Sequence, residues 1–103
     1  MEYQLVLQFP APTEADQEVI ISLEDDFVEQ LEDSADVEGH DALDSSLNVF
    51  ITTGSPARTF ERLRPLLVNR SLLDAVTAAY RHVDEDDYKV IWPKDDSRVF
   101  LAP

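Results

Sequence analysis

The sequence predicts an α+β two-layer sandwich, with two helices on one face of a mainly antiparallel sheet. Three observations lead there. Apolar residues alternate with period two near the start, they recur at helical spacing in two later stretches, and two turn-bounded apolar runs close the chain.

Tyr3 to Phe9 alternates and stops at Pro10, which reads as a strand with Tyr3, Leu5, Leu7 and Phe9 on one face. Gln4, Val6 and Gln8 form the other face, expected to be only partly buried. Pro10-Ala11-Pro12 breaks the strand and Thr13 is placed to cap a helix. From Glu14 to about Asp33, Val19, Ile20, Leu23, Phe27 and Leu31 fall at spacings of three and four, one apolar stripe. Glu14/Glu18, Asp25/Glu29 and Glu29/Asp33 are like-charge pairs at i,i+4, each unfavourable by about 0.2–0.5 kcal/mol. Glu32 and Asp33 also lie at the helix end that disfavours anions. Packing must therefore hold this helix.

Ala35 to Leu43 is ambiguous and reads as a short edge strand around Asp36-Val37-Glu38, then a turn at Gly39-His40-Asp41. Leu47 to Thr52 is a strand with apolar groups on both faces, which places it centrally. Gly54-Ser55-Pro56 starts a second helix with Ser55 as N-cap. That helix uses Phe60, Leu63, Leu66 and Leu67, and Pro65 predicts a kink or break near Arg64. Ala75 to Arg81 fits helix or strand, and its β-formers favour strand. The acidic turn Asp84–Asp87 then leads into a strand at Tyr88–Trp92 that ends at Pro93. Asp95-Asp96 makes a further turn, and Arg98 to Leu101 adds a short strand or a packed tail. If Val37 lies in a strand, the order is βαββαβ, ferredoxin-like, with one extra C-terminal strand.

At 103 residues the chain reads as one domain. It contains no cysteine, so disulfides and thiol catalysis are excluded. No signal peptide is visible and no run approaches the roughly 20 apolar residues that cross a bilayer, so a cytoplasmic location is expected.

The net charge is −14. Residues 1–57 hold fourteen acids and no Lys or Arg, whereas residues 58–103 hold eight of each sign. Nucleic acid and anionic membranes would be repelled and a basic protein attracted. The candidate partner surface is Glu24, Asp25, Glu29, Glu32 and Asp33, extended by Asp36 and Glu38. The plainer reading is a solvated face, partly neutralised by Arg58, Arg62 and Arg64 of the second helix.

Gly39-His40-Asp41 with Asp44 is the nearest approach to a ligand cluster for zinc or manganese. A turn closed by Asp side chains is the more economical account, and no metal or cofactor is expected. Asp84–Asp87 lacks the glycine and the distant glutamate of a calcium loop. Tyr88 and Trp92, placed on one side of their strand with Val90, serve as core anchors or as an exposed aromatic hot spot. There is no Gly-x-Ser-x-Gly, and no P-loop follows Gly54, so neither nucleophilic catalysis nor a nucleotide fingerprint is supported.

Val37-Glu38-Gly39-His40-Asp41, Leu47 to Thr52, Pro56, Thr59-Phe60, Ala79-Tyr80-Arg81 and Ile91-Trp92-Pro93 resemble uncharacterised small acidic bacterial proteins of about this length. That resemblance implies no activity. In composition alone the chain is also similar to immunity proteins that neutralise bacterial toxins. The leading expectation is therefore a non-enzymatic acidic protein that binds a basic partner, with a toxin-neutralising immunity protein as one instance. The alternatives are a small metal-dependent or ligand-binding enzyme at His40/Asp41/Asp44, and a homodimeric accessory domain joined through Tyr88 and Trp92 or an edge strand.

Overall fold

The computed structural model describes residues 2–94 and 100–103. In chain order the elements are β1 (Tyr3–Pro10), α1 (Glu14–Leu31), a 3-10 turn (Glu32–Ser34), β2 (Ala35–Leu43), β3 (Ser46–Thr53), α2 (Pro56–Asn69), β4 (Thr77–His82) and β5 (Lys89–Trp92). Two helices pack on a five-stranded sheet of order β2-β3-β1-β4-β5, in which every neighbouring pair is antiparallel. No described helix is long and apolar enough to cross a membrane. The turn at Asp95-Asp96 and the start of the strand expected from Arg98 lie outside the described residues.

The alternation of β1 sets the layers. Leu5, Leu7 and Phe9 stand opposite Ile51, Val49 and Leu47 of β3, and all six are buried in one cluster with the helices. Into the same cluster α1 sends Ile20, Leu23, Phe27 and Leu31, and α2 sends Phe60, Leu63 and Leu67. Thr13 caps α1 as expected, its Oγ1 accepting from the Asp16 amide at 3.2 Å.

The other face of the sheet is less open than its glutamines suggest, since Val6, Asn48 and Ala79 are fully buried there. The chain's own last residues lie against it. Gln8 Nε2 donates to the Leu101 carbonyl at 2.7 Å, and the Phe100 ring sits 5.1 Å from that of Tyr88.

Two local expectations are corrected, and the strand reading after α2 is met. Gly39-His40-Asp41 is not a turn, because β2 runs on to Leu43 and the chain reverses at Asp44-Ser45. Gly39, at φ 135°, forms a bulge opposite β3 that lets the strand continue with its parity shifted by one residue. The segment after α2 resolves as strand β4, which pairs with β1. Finally, α2 does not break near Arg64 but runs through Pro65 to Asn69. Pro65 is exposed, so the carbonyl that loses its helical partner faces water.

Candidate functional site

The four buried residues of α1 fix its rotation, so Asp25 and Glu29 point to solvent, one helical turn apart. The helix ends at Glu32, whose amide donates to the Val28 carbonyl. Exposed Asp33 follows, and the chain enters β2 at buried Ala35. Asp25, Glu29, Glu32 and Asp33 thus form one anionic corner at the C-terminal end of α1.

The structure divides the remaining acids of the sequence-predicted surface from this corner. Register pairs Asp36 with Thr52, on the sheet face opposite the helices, and Glu38 accepts a hydrogen bond from Thr52 Oγ1 at 3.0 Å on that same face. Strand alternation dictates this, because Val37 between them packs toward the core. Glu24 is half-buried, and its Oε1 contacts Nδ1 of His40.

The bulge at Gly39 has turned His40 toward α1, while Asp41 stands beside Asn48 on the other face. The Asp41 carboxylate accepts from the Ala42 amide at 2.9 Å, and Asp44 occupies the hairpin turn at φ 54°, a conformation aspartate tolerates. His40, Asp41 and Asp44 therefore do not converge. Among the described residues no group of three His, Asp or Glu side chains is placed to hold a metal ion.

The arginines of α2 do not neutralise the anionic corner. Arg62 donates instead to Ser34 Oγ at 2.7 Å and to the Gln30 carbonyl at 2.8 Å, tying the helices together through neutral acceptors. Arg64 pairs with Glu61 of its own helix, at 3.1 Å. The pair that does join the helices is Arg70–Asp26, at 2.7 Å, which sequence reading missed because Arg70 lies just beyond α2. Among the described residues no ion pair reaches Asp25, Glu29, Glu32 or Asp33.

Glu32 adds a conformational observation. It sits at φ 50°, ψ −124°, a region that suits glycine and costs other residues about 1–3 kcal/mol. Replacing it by glycine is expected to raise stability by about 1 kcal/mol, read as a higher urea midpoint at unchanged slope. A lower midpoint would show that the Glu32 side chain contributes more than its backbone costs.

Tyr88 and Trp92 are not on one side of the sheet, as the sequence suggested. Trp92 faces the helices, its ring 5.9 Å from Phe60, with the Arg64 guanidinium 4.7 Å over it. Tyr88 reaches across the opposite face, its hydroxyl donating to Gln4 Oε1 at 3.2 Å. A bulge between Ala78 and Ala79 in the β4–β5 pairing accompanies this split.

Sequence reading also missed a cavity of about 240 Å³ at the start of α2, between Ser34, Thr53, Ser55, Arg58 and Arg62. The available signal was the spacing of Arg58 and Arg62, four residues apart directly after a helix start, which puts both on one side. Compared with protein-family models, curated proteins and solved structures, the chain matches none.

Proposed function

We propose that this protein is a non-enzymatic binding domain that engages a basic protein through the anionic corner Asp25, Glu29, Glu32 and Asp33. The observation that carries this reading is the absence of compensation there. Arg62 and Arg64 are held by Ser34, Gln30 and Glu61, and Arg58 forms no ion pair, so among the described residues these four exposed carboxylates have no direct cationic partner. Such a surface raises the encounter rate with a cationic partner and discriminates against anionic ones. Asp36 and Glu38 extend it around the β2 edge for a partner that grips both faces. Neutralisation of a basic bacterial toxin is one engagement of this kind, proposed on charge alone.

The same reading takes the architecture as ferredoxin-like. The two β-α-β halves interleave: β3 lies between β1 and β2, and β1 lies between β3 and β4, with β5 appended beyond β4. This arrangement supports a split β-α-β pair rather than a simple meander.

The test is a titration of a fluorescent lysine-rich peptide at low and high salt. Charge reversal at Asp25, Glu29 and Glu32 is expected to weaken binding by roughly threefold to a hundredfold, from exposed pairs worth roughly 0.2–1 kcal/mol each. A control reverses Asp84, Glu85 and Asp86 at the tip of the β4–β5 hairpin, with the same change in net charge. Equal weakening by both triple variants would mean that net charge alone attracts the peptide, and the proposed corner would be rejected.

A further inference from the structure

The cavity at the start of α2 has a chemistry opposite to that of the anionic corner. It is lined by Ser34, Thr53, Ser55, Arg58, Thr59 and Arg62, together with Gly54, and among the described residues no carboxylate borders it. This is unexpected in a protein of net charge −14. Arg58 makes no hydrogen bond or ion pair with any described residue, although carboxylates abound. Arg62 spends two donors on neutral oxygens of Ser34 and Gln30, so its charge is uncompensated.

An independent observation comes from the floor of the cavity. Thr53 is 1% and Thr59 4% exposed, and their hydroxyls meet at 2.7 Å. Thr53 Oγ1 also accepts from the Ser55 amide, at 3.0 Å. Two hydroxyl hydrogens are present and the contact between them consumes one. Among the described residues no acceptor takes the other. A buried donor without an acceptor keeps its full desolvation cost, and a ligand oxygen that accepts from it removes that cost. The Ser55 side chain caps nothing, so the first-turn amides of Ala57 and Arg58 lack a side-chain acceptor as well.

We infer that this cavity binds one phosphate-type tetrahedral oxyanion, held by Arg58 and Arg62 above and by the surplus threonine hydroxyl below. A volume of about 240 Å³ leaves room for such an ion with several waters, each of which occupies about 30 Å³. The ion is either free or the phosphoryl group of a larger molecule. Because no described carboxylate lines the cavity, this site stands independently of the proposed basic partner.

The test is an amide NMR titration with inorganic phosphate at constant pH and ionic strength, with chloride as the control and phenyl phosphate as a second ligand. Saturable shifts are expected at Arg58, Thr59 and Ser34 with phosphate and not with chloride. Arg58→Gln, which breaks no side-chain hydrogen bond or ion pair of the described residues, should weaken binding about tenfold with an unchanged melting temperature. Thr53→Val combined with Thr59→Val, which removes both hydroxyls, should weaken it several-fold, with melting temperature again the check on folding. Tighter binding of phenyl phosphate would assign the site to a carried phosphoryl group, and tighter inorganic phosphate to the free ion. Shifts that drift without saturation, or an Arg58→Gln variant of unchanged affinity, would overturn the inference.

Discussion

Phe27→Ala is expected to lower stability by about 3–5 kcal/mol, a large part of the roughly 5–15 kcal/mol typical of a domain. Phe27 is fully buried at the middle of the α1 stripe, in one cluster with Leu23, Leu31, Ile51 and Leu63. Outside this packing, α1 has its Thr13 cap and the polar contacts of Glu24, Asp26 and Gln30 with His40, Arg70 and Arg62, most of them exposed and worth little each. Its like-charge pairs oppose it by about 0.2–0.5 kcal/mol each, and its last turn carries no basic residue to complement the dipole. Loss of the phenyl ring leaves a cavity that the surrounding β3 and α2 side chains only partly fill. Urea denaturation gives the readout, with Val28→Ala as the control, since Val28 is 53% exposed and its truncation should change stability by less than about 0.5 kcal/mol. Stability of both proteins should rise with moderate salt, which screens repulsion along α1. Should Phe27→Ala cost no more than Val28→Ala, packing of α1 on the sheet is not what holds it.

This helix also marks how much of the fold the sequence made legible. Where period and burial coincide, as in β1 and most of α1, residue spacing named the core face, although Val19 of the expected α1 stripe is exposed; for β3 it gave the central position. Reading failed where one residue shifts the parity of a strand. Gly39-His40-Asp41 carries turn residues, yet the glycine serves a bulge, and β2 continues past it with His40 turned toward Glu24. No local composition distinguishes a turn glycine from a bulge glycine, because both exploit the same positive φ. The β4–β5 bulge likewise hid the separation of Tyr88 from Trp92.

The candidate site was legible in part, for a related reason. Helical spacing placed Asp25 and Glu29 together, but it says nothing about strand faces, so Asp36 and Glu38 were assigned to the same surface. Which carboxylate an arginine meets depends on how two helices align, and that is a tertiary property. Arg62 finds the Gln30 carbonyl and Ser34, while Arg70, beyond the helix, finds Asp26. Among the described residues the anionic corner forms no ion pair because of that alignment. The donor-lined cavity arises the same way, from Ser34 after one helix meeting Arg58 and Arg62 at the start of the other.

The ambiguity over Trp92 can be decided by its truncation. Trp92→Ala is expected to cost about 2–4 kcal/mol, reaching below the range for a fully buried tryptophan because the residue is only partly buried. The indole N–H donates to the Leu73 carbonyl at 2.8 Å, the ring packs on Phe60, and the Arg64 guanidinium lies over its face. These contacts fasten a four-residue edge strand whose pairing with β4 is interrupted by a bulge, so backbone bonds alone hold it weakly. Truncation should therefore speed amide exchange in β5 and the β4–β5 hairpin before it affects β1 or β3. Trp92→Phe keeps the stack but leaves the Leu73 carbonyl without its donor, and about 1 kcal/mol of loss is expected. A residue whose main role is to anchor a partner behaves differently: Trp92→Ala would then leave stability and exchange unchanged within about 0.5 kcal/mol and lower only affinity. Leu73 lies after α2 and Phe60 within it, so the indole joins the sheet edge to the helix layer at two separate points of the chain.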